Sequence, residues 1–178
     1  VAVKSKKQEK DEVLMKKVCF LSLTLCLGAF AQNNTVVRWR GIEGVITAPG
    51  VDNPVSQIHS GAGPWTTQQG SAWINLSNGE GFFEVEGLVL NGGNASGSPG
   101  AVNSVIGTFV CNAGSPAGTT ETVVDTPATA LSSVGNAALT FKVNIPSVCN
   151  NPVFLIRVPA GKWIATGTKA AAGLISFY

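Results

Sequence analysis

The feature that most constrains this chain is its punctuation. From Gln32 onward, Gly, Pro, Asn, Ser and Thr interrupt the sequence at intervals of roughly eight to fifteen residues, and only short β-branched and aromatic runs stand between the breaks. No window shows the 3.6-residue apolar period of an amphipathic helix. Many short strands joined by turns are the signature of an all-β sandwich or barrel. The expected fold is therefore an antiparallel β-sandwich, Greek-key and immunoglobulin-like in outline.

The clearest strand is Gly81 to Leu88, where Phe83 and Val85 alternate with Glu84 and Glu86. Asn78-Gly79 ahead of it is a hairpin signal, which makes Ser71 to Ser77 its antiparallel partner. Further strands are expected over Thr35 to Arg40, Glu43 to Thr47, Ser104 to Cys111, Ala137 to Ile145, Val153 to Arg157, Lys162 to Thr166 and Leu174 to Phe177. Pro146, Pro152 and Pro159 bound three of these runs. The stretches Pro49 to Gln69, Asn91 to Asn103 and Asn112 to Asp125 read as surface loops.

The amino end has a different character. Val1 to Leu14 is polar and charged, and the single methionine, Met15, follows it. Lys16-Lys17, an apolar run from Val18 to Leu27 and Gly28-Ala29-Phe30-Ala31 then give the order of an export signal with an Ala-x-Ala cleavage site. The apolar run is shorter than the ~20 residues of a membrane-spanning helix. The expected division is an over-extended start over 1–14, a helical signal peptide over 15–31, and one domain over 32–178. Cleavage falls at Ala29-x-Ala31, leaving Gln32 first. Leu25 precedes Cys26, where lipid attachment requires a small residue, so Cys19 and Cys26 leave with the signal.

Removing the signal changes the charge. The whole chain carries a formal +2, but residues 32–178 hold six basic and seven acidic residues, a net −1. No basic stripe remains to follow a phosphate backbone, which argues against nucleic acid as a partner. Cys111 and Cys149 are the two cysteines left, and in an exported chain they are expected to form a disulfide.

Catalytic patterns are sparse. His59 is the lone histidine, no Gly-x-Ser-x-Gly elbow occurs, and one histidine cannot build a histidine-rich zinc site. Glu84 and Glu86 share one strand face and read as solvated, not as paired catalytic acids. Asp52-Asn53 is a weak calcium signal. The Gly92-to-Gly97 run has neither dinucleotide spacing nor a P-loop lysine. No cofactor and no metal are expected.

Four tryptophans remain. Trp39, Trp73 and Trp163 fall in or beside strands and are expected to be mostly buried. Trp65 follows Gly63-Pro64 among Thr and Gln, and is expected to be the most exposed. It could stack on a sugar with Gln68, Asn91 and Asn94 supplying polar contacts, or fold back as a lid over an open end of the fold.

Between Trp65 and Gly167 the phrases Glu86-Gly87-Leu88-Val89-Leu90-Asn91-Gly92-Gly93-Asn94, Gly107-Thr108-Phe109-Val110-Cys111, Phe154-Leu155-Ile156-Arg157 and Trp163-Ile164-Ala165 resemble small secreted bacterial β-proteins. Ala72 to Val110 is similar in order to CHRD-type domains, which are secreted β-sandwich modules. The histidine pair of that family is missing, since Phe154-Leu155-Ile156-Arg157 holds none. The resemblance implies secretion and implies no activity.

The resulting expectation is a secreted, non-enzymatic surface or extracellular-matrix module, located outside the cell, on its surface or in the periplasm. The competing expectations are a carbohydrate-binding module using Trp65, a fibre subunit that assembles by strand addition, and a hydrolase with an unrecognised site. Polysaccharide or a second copy of the chain are the partners considered, with no membrane attachment once the signal is gone.

Overall fold

A computed structural model describes residues 35–48, 50–114 and 120–169. The signal peptide with its Ala29, Ala31 and Gln32 cleavage site, and the strand expected at Leu174 to Phe177, lie outside the described residues.

The described residues contain strands and turns and no helix. Eight strands form one sheet: β1 (Val36–Gly44), β3 (Gln69–Asn75), β4 (Glu80–Glu86), β6 (Ser104–Cys111), β7 (Thr122–Ala130), β8 (Ala137–Lys142), β9 (Val153–Arg157) and β10 (Trp163–Lys169). Their order is β7-β6-β9-β10-β1-β3-β4-β8, and every neighbouring pair is antiparallel. The two short strands β2 (Trp65–Thr66) and β5 (Val89–Leu90) pair separately.

The architecture corrects the sandwich expectation. Two packed sheets were expected; among the described residues the eight long strands form a single sheet, curled until its outer strands β7 and β8 approach each other. The Thr129 hydroxyl of β7 donates to the Ala138 carbonyl of β8 at 3.2 Å, so the sheet nearly closes into a barrel. Alternation does not distinguish these folds, because an inward-facing residue follows an outward-facing one in both.

Inward residues from opposite walls meet in one aromatic cluster. Phe109 of β6 lies 5.1 Å from Phe154 of β9 between ring centroids, and Phe154 lies 5.6 Å from Trp39 of β1 and 5.7 Å from Phe83 of β4. All are tilted, the favourable arrangement for aromatic pairs. Register shifts beside Gly41, between Ile106 and Thr108, and between Trp163 and Ala165 help the sheet bend.

The Asn78-Gly79 hairpin forms between β3 and β4, with Ser71 opposite Glu84 and Trp73 opposite Phe82. Gly79 has φ 72° and its nitrogen donates to Asn75 O at 2.8 Å. A side chain there would run into the Val143 carbonyl.

β7 was not expected. The stretch Asn112 to Asp125 was read as loop, and no strand was expected over Thr122–Ala130. An outer strand tolerates proline because its outward N–H has no ladder partner to lose.

Candidate functional site

Alternating strand directions place the starts and ends of the strands at two opposite ends of the barrel. At one end, β2 and β5 form a plug. Trp65 N donates to Val45 O, Asn91 N to Pro64 O, and Leu88 N to Gly135 O, each at 2.9 Å.

This plug overturns the expectation for Trp65. The residue is 5 % exposed and belongs to the core. Trp65 therefore offers no ring face for a sugar, and the lid alternative describes it correctly. Trp39 and Trp163 are buried and Trp73 is half-buried, so all three are mostly shielded, as expected. Trp73 lies on the outer face of β3, with the Arg38 guanidinium 5.9 Å from its ring centroid. Gln68, Asn91 and Asn94 are exposed, and β2 and β5 bring Asn91 to the Pro64-Trp65 backbone, whereas the Trp65 side chain is buried.

His59 joins a structural loop. Its Nδ1 lies 2.5 Å from Asp52 Oδ2, and Ser60 N donates to Asp52 Oδ1 at 2.9 Å. Ser60 Oγ faces Asp52 Oδ1 and accepts from Asn53 N at 3.0 Å. The hydroxyl is thus bonded to the acid and not to the imidazole, which is not the order of a nucleophilic triad. The His59 hydrogen bond and the Ser60 amide, aided by the charges of His59 and Lys162, lower the Asp52 pKa. Trp163 Nε1 donates to Asn53 O at 2.8 Å and ties this loop to β10.

Glu84 and Glu86 are exposed, and they accept from Ser71 Oγ and Gln69 Nε2 on β3 at 3.1 and 2.8 Å. They form cross-strand pairs on a solvated face.

Cys111 and Cys149 form a disulfide, with Cα atoms 4.7 Å apart. Beside it, Asn112 is 4 % exposed with φ 61°, and its side-chain amide donates to Thr120 O and Val148 O.

One opening was not anticipated from sequence. At the barrel end opposite the plug, β7 and β8 diverge around a cleft of about 740 Å³. One wall is Thr122 to Pro127 and the other is Lys142 to Pro146. Val124, Val143 and Ile145 are half-buried, and Val123 is 42 % exposed. Asp125 is held by Arg157 Nη1 at 3.1 Å and by the Thr108 hydroxyl at 2.7 Å. Thr126 Oγ1 accepts from Gly107 N at 3.0 Å. The cleft thus mixes valine, isoleucine and proline with polar residues, lies between two strand edges without a mutual ladder, and has Asp125 and Thr126 already engaged in hydrogen bonds. The sequence signal was the Val123-Val124 pair with Pro127 three residues on, which confines such a strand to an edge or a bulge.

Comparisons of the chain with protein-family models, with curated proteins and with solved structures find no match.

Proposed function

We propose that this chain is an exported, non-enzymatic interaction module of the cell surface or extracellular matrix, which engages its partner by adding a strand at the β7–β8 cleft. The export signal over 15–31 and the disulfide support an extracellular setting. The engagement of Ser60, Asp125 and Thr126 in structural hydrogen bonds supports a non-enzymatic role.

The observation that carries the proposal is the incomplete closure of the barrel. Exposed strand edges template pairing with another chain, and proteins generally blunt or cover them. Main-chain bonds along the edge supply affinity, while pockets between the walls select side chains. The assigned occupant is the segment 170–178 of a second copy, Ala-Ala-Ala-Gly-Leu-Ile-Ser-Phe-Tyr. It is uncharged, like most of the cleft wall, and an extended nine-residue segment spans ~30 Å, enough for the six residues of the β7 wall.

Sedimentation of the signal-free protein over a range of concentrations tests this. Assembly that is lost on Ile145→Asp and on Ile175→Asp, with each variant still folded, supports strand addition. A protein that remains monomeric throughout and binds no added Ala170-to-Tyr178 peptide overturns it. The Trp65 sugar reading is not retained, because its aromatic platform is inside the fold.

A further inference from the structure

A smaller cavity of about 240 Å³ lies at the same barrel end as the cleft, on the opposite side of β6 and β9. Trp39, Gly167 and Lys169 line one part of it, and Asn151, Pro152 and Val153 line another.

Trp39 is 1 % exposed, yet its indole N–H has no acceptor among the described residues. A buried donor left unpaired is costly and uncommon. Trp163 illustrates the contrast, since its indole bonds the Asn53 carbonyl. The direction of the unpaired group follows from its neighbours. A Cβ at Gly167 would stand 2.8 Å from Trp39 Cγ and Cδ1, so the pyrrole edge lies against a cavity wall. The ring system also packs on Phe109 and Phe154 in the core. Nε1 is bonded to Cδ1 and so lies on the Gly167 side.

A cation lines the same cavity. Lys169 is the register partner of Trp39 across β1 and β10, and its Nζ donates to Asn151 Oδ1 at 2.8 Å. Although Lys169 is exposed overall, desolvation of the ammonium lowers its pKa. No acidic residue among the described ones lines the cavity to balance the charge.

We infer that this cavity binds a carboxylate, with one oxygen accepting from the Trp39 indole N–H and the other from the Lys169 ammonium. A carboxylate offers two acceptor oxygens and one negative charge, which matches one neutral donor beside one cation. The source is either a small organic acid or the terminal carboxylate of a peptide, and mouths of β-barrels are common ligand sites.

The test follows the tryptophan indole N–H resonances of the full protein by nitrogen-15 NMR, with Trp39 assigned through its loss in Trp39→Phe. Acetate is titrated against chloride at matched ionic strength. A saturable shift of the Trp39 resonance with acetate alone, weakened about tenfold in Lys169→Gln, supports the site. Short peptides with free and amidated carboxyl ends then separate the sources: tighter binding of the free-acid peptide than of acetate assigns the chain terminus, and the reverse assigns a small acid. The Lys169→Gln comparison needs no change in the core, so it stands even if Trp39→Phe fails to fold. No saturable shift, an equal response to chloride, affinity unchanged in Lys169→Gln, or an indole that contacts water alone overturns the inference.

Discussion

Asn112 and Asn150 exchange two hydrogen bonds immediately beyond the Cys111–Cys149 disulfide. Asn112 N donates to Asn150 O, and Asn150 N donates to Asn112 Oδ1, both at 2.9 Å. The covalent bridge and the amide clasp thus hold the end of β6 to the segment leading into β9. Asparagine suits this place because it tolerates a positive φ while bonding nearby backbone. Removing the bridge by Cys111→Ser should lower stability by about 3–4 kcal/mol, from the entropy of the 38-residue separation it closes. Asn112→Ala should cost about 1–3 kcal/mol by leaving buried backbone groups unpaired. Urea unfolding of both variants checks the pair, and a loss below ~0.5 kcal/mol for Asn112→Ala would remove the clasp.

Tryptophan accessibility separates the plug from the outer face. Trp65→Ala should destabilise by about 3–5 kcal/mol, as expected for deleting a core aromatic. Trp73→Ala should cost distinctly less, because the ring is only half-buried. Acrylamide quenching should fall most when Trp73 is replaced. Quenching dominated by Trp65 would contradict the plug.

Acid should loosen the loop that carries His59. Asp52 has a lowered pKa in the folded protein, so the loop is stabilised above the unfolded carboxylate value of about 3.9. That contribution should be lost as pH falls through the folded value. Hydrogen exchange at the Ser60 amide, which donates to Asp52, should accelerate relative to core amides in that window. Asp52→Asn should remove the acid dependence, and its persistence in the variant would place the cause elsewhere.

The hairpin at Gly79 should resist substitution. Gly79→Ala forces a side chain into a positive-φ position and toward the Val143 carbonyl. A loss of more than about 1 kcal/mol in thermal unfolding is expected. A neutral result would mean that the segment after β8 can move away freely.

Export can be read directly. If the proposed signal of lysine pair, apolar run and Ala29-x-Ala31 is used, exported protein should begin at Gln32. Amino-terminal sequencing of exported material checks this, and a start at Val1 or lipid on Cys26 would contradict it.

Local chemistry was enough to read several elements. β6 over Ser104–Cys111 and β9 over Val153–Arg157 match their expected bounds, because each is a β-branched run ended by a turn residue or proline. Asn78-Gly79 identified its hairpin because only a few residues accept that backbone geometry. Thr35 to Arg40 and Glu43 to Thr47 instead proved to be one strand ending at Gly44, since pairing with β10 carries the backbone through Gly41-Ile42. β7 was missed although five of its nine residues are β-branched, because its first half fell in a stretch read as loop and Pro127 interrupts the run; pairing with β6 carries the strand through the proline.

By itself, the sequence determined the all-β class and the pairing of Cys111 with Cys149, because alternation, turn residues and cysteine count act locally or by elimination. Tertiary structure alone decided that the strands form one curled sheet, that Trp65 plugs an end, and that β7 and β8 part around a cleft. These depend on which distant strands share hydrogen bonds. A period of two states which side chains share a face, but not which wall of the fold that face meets.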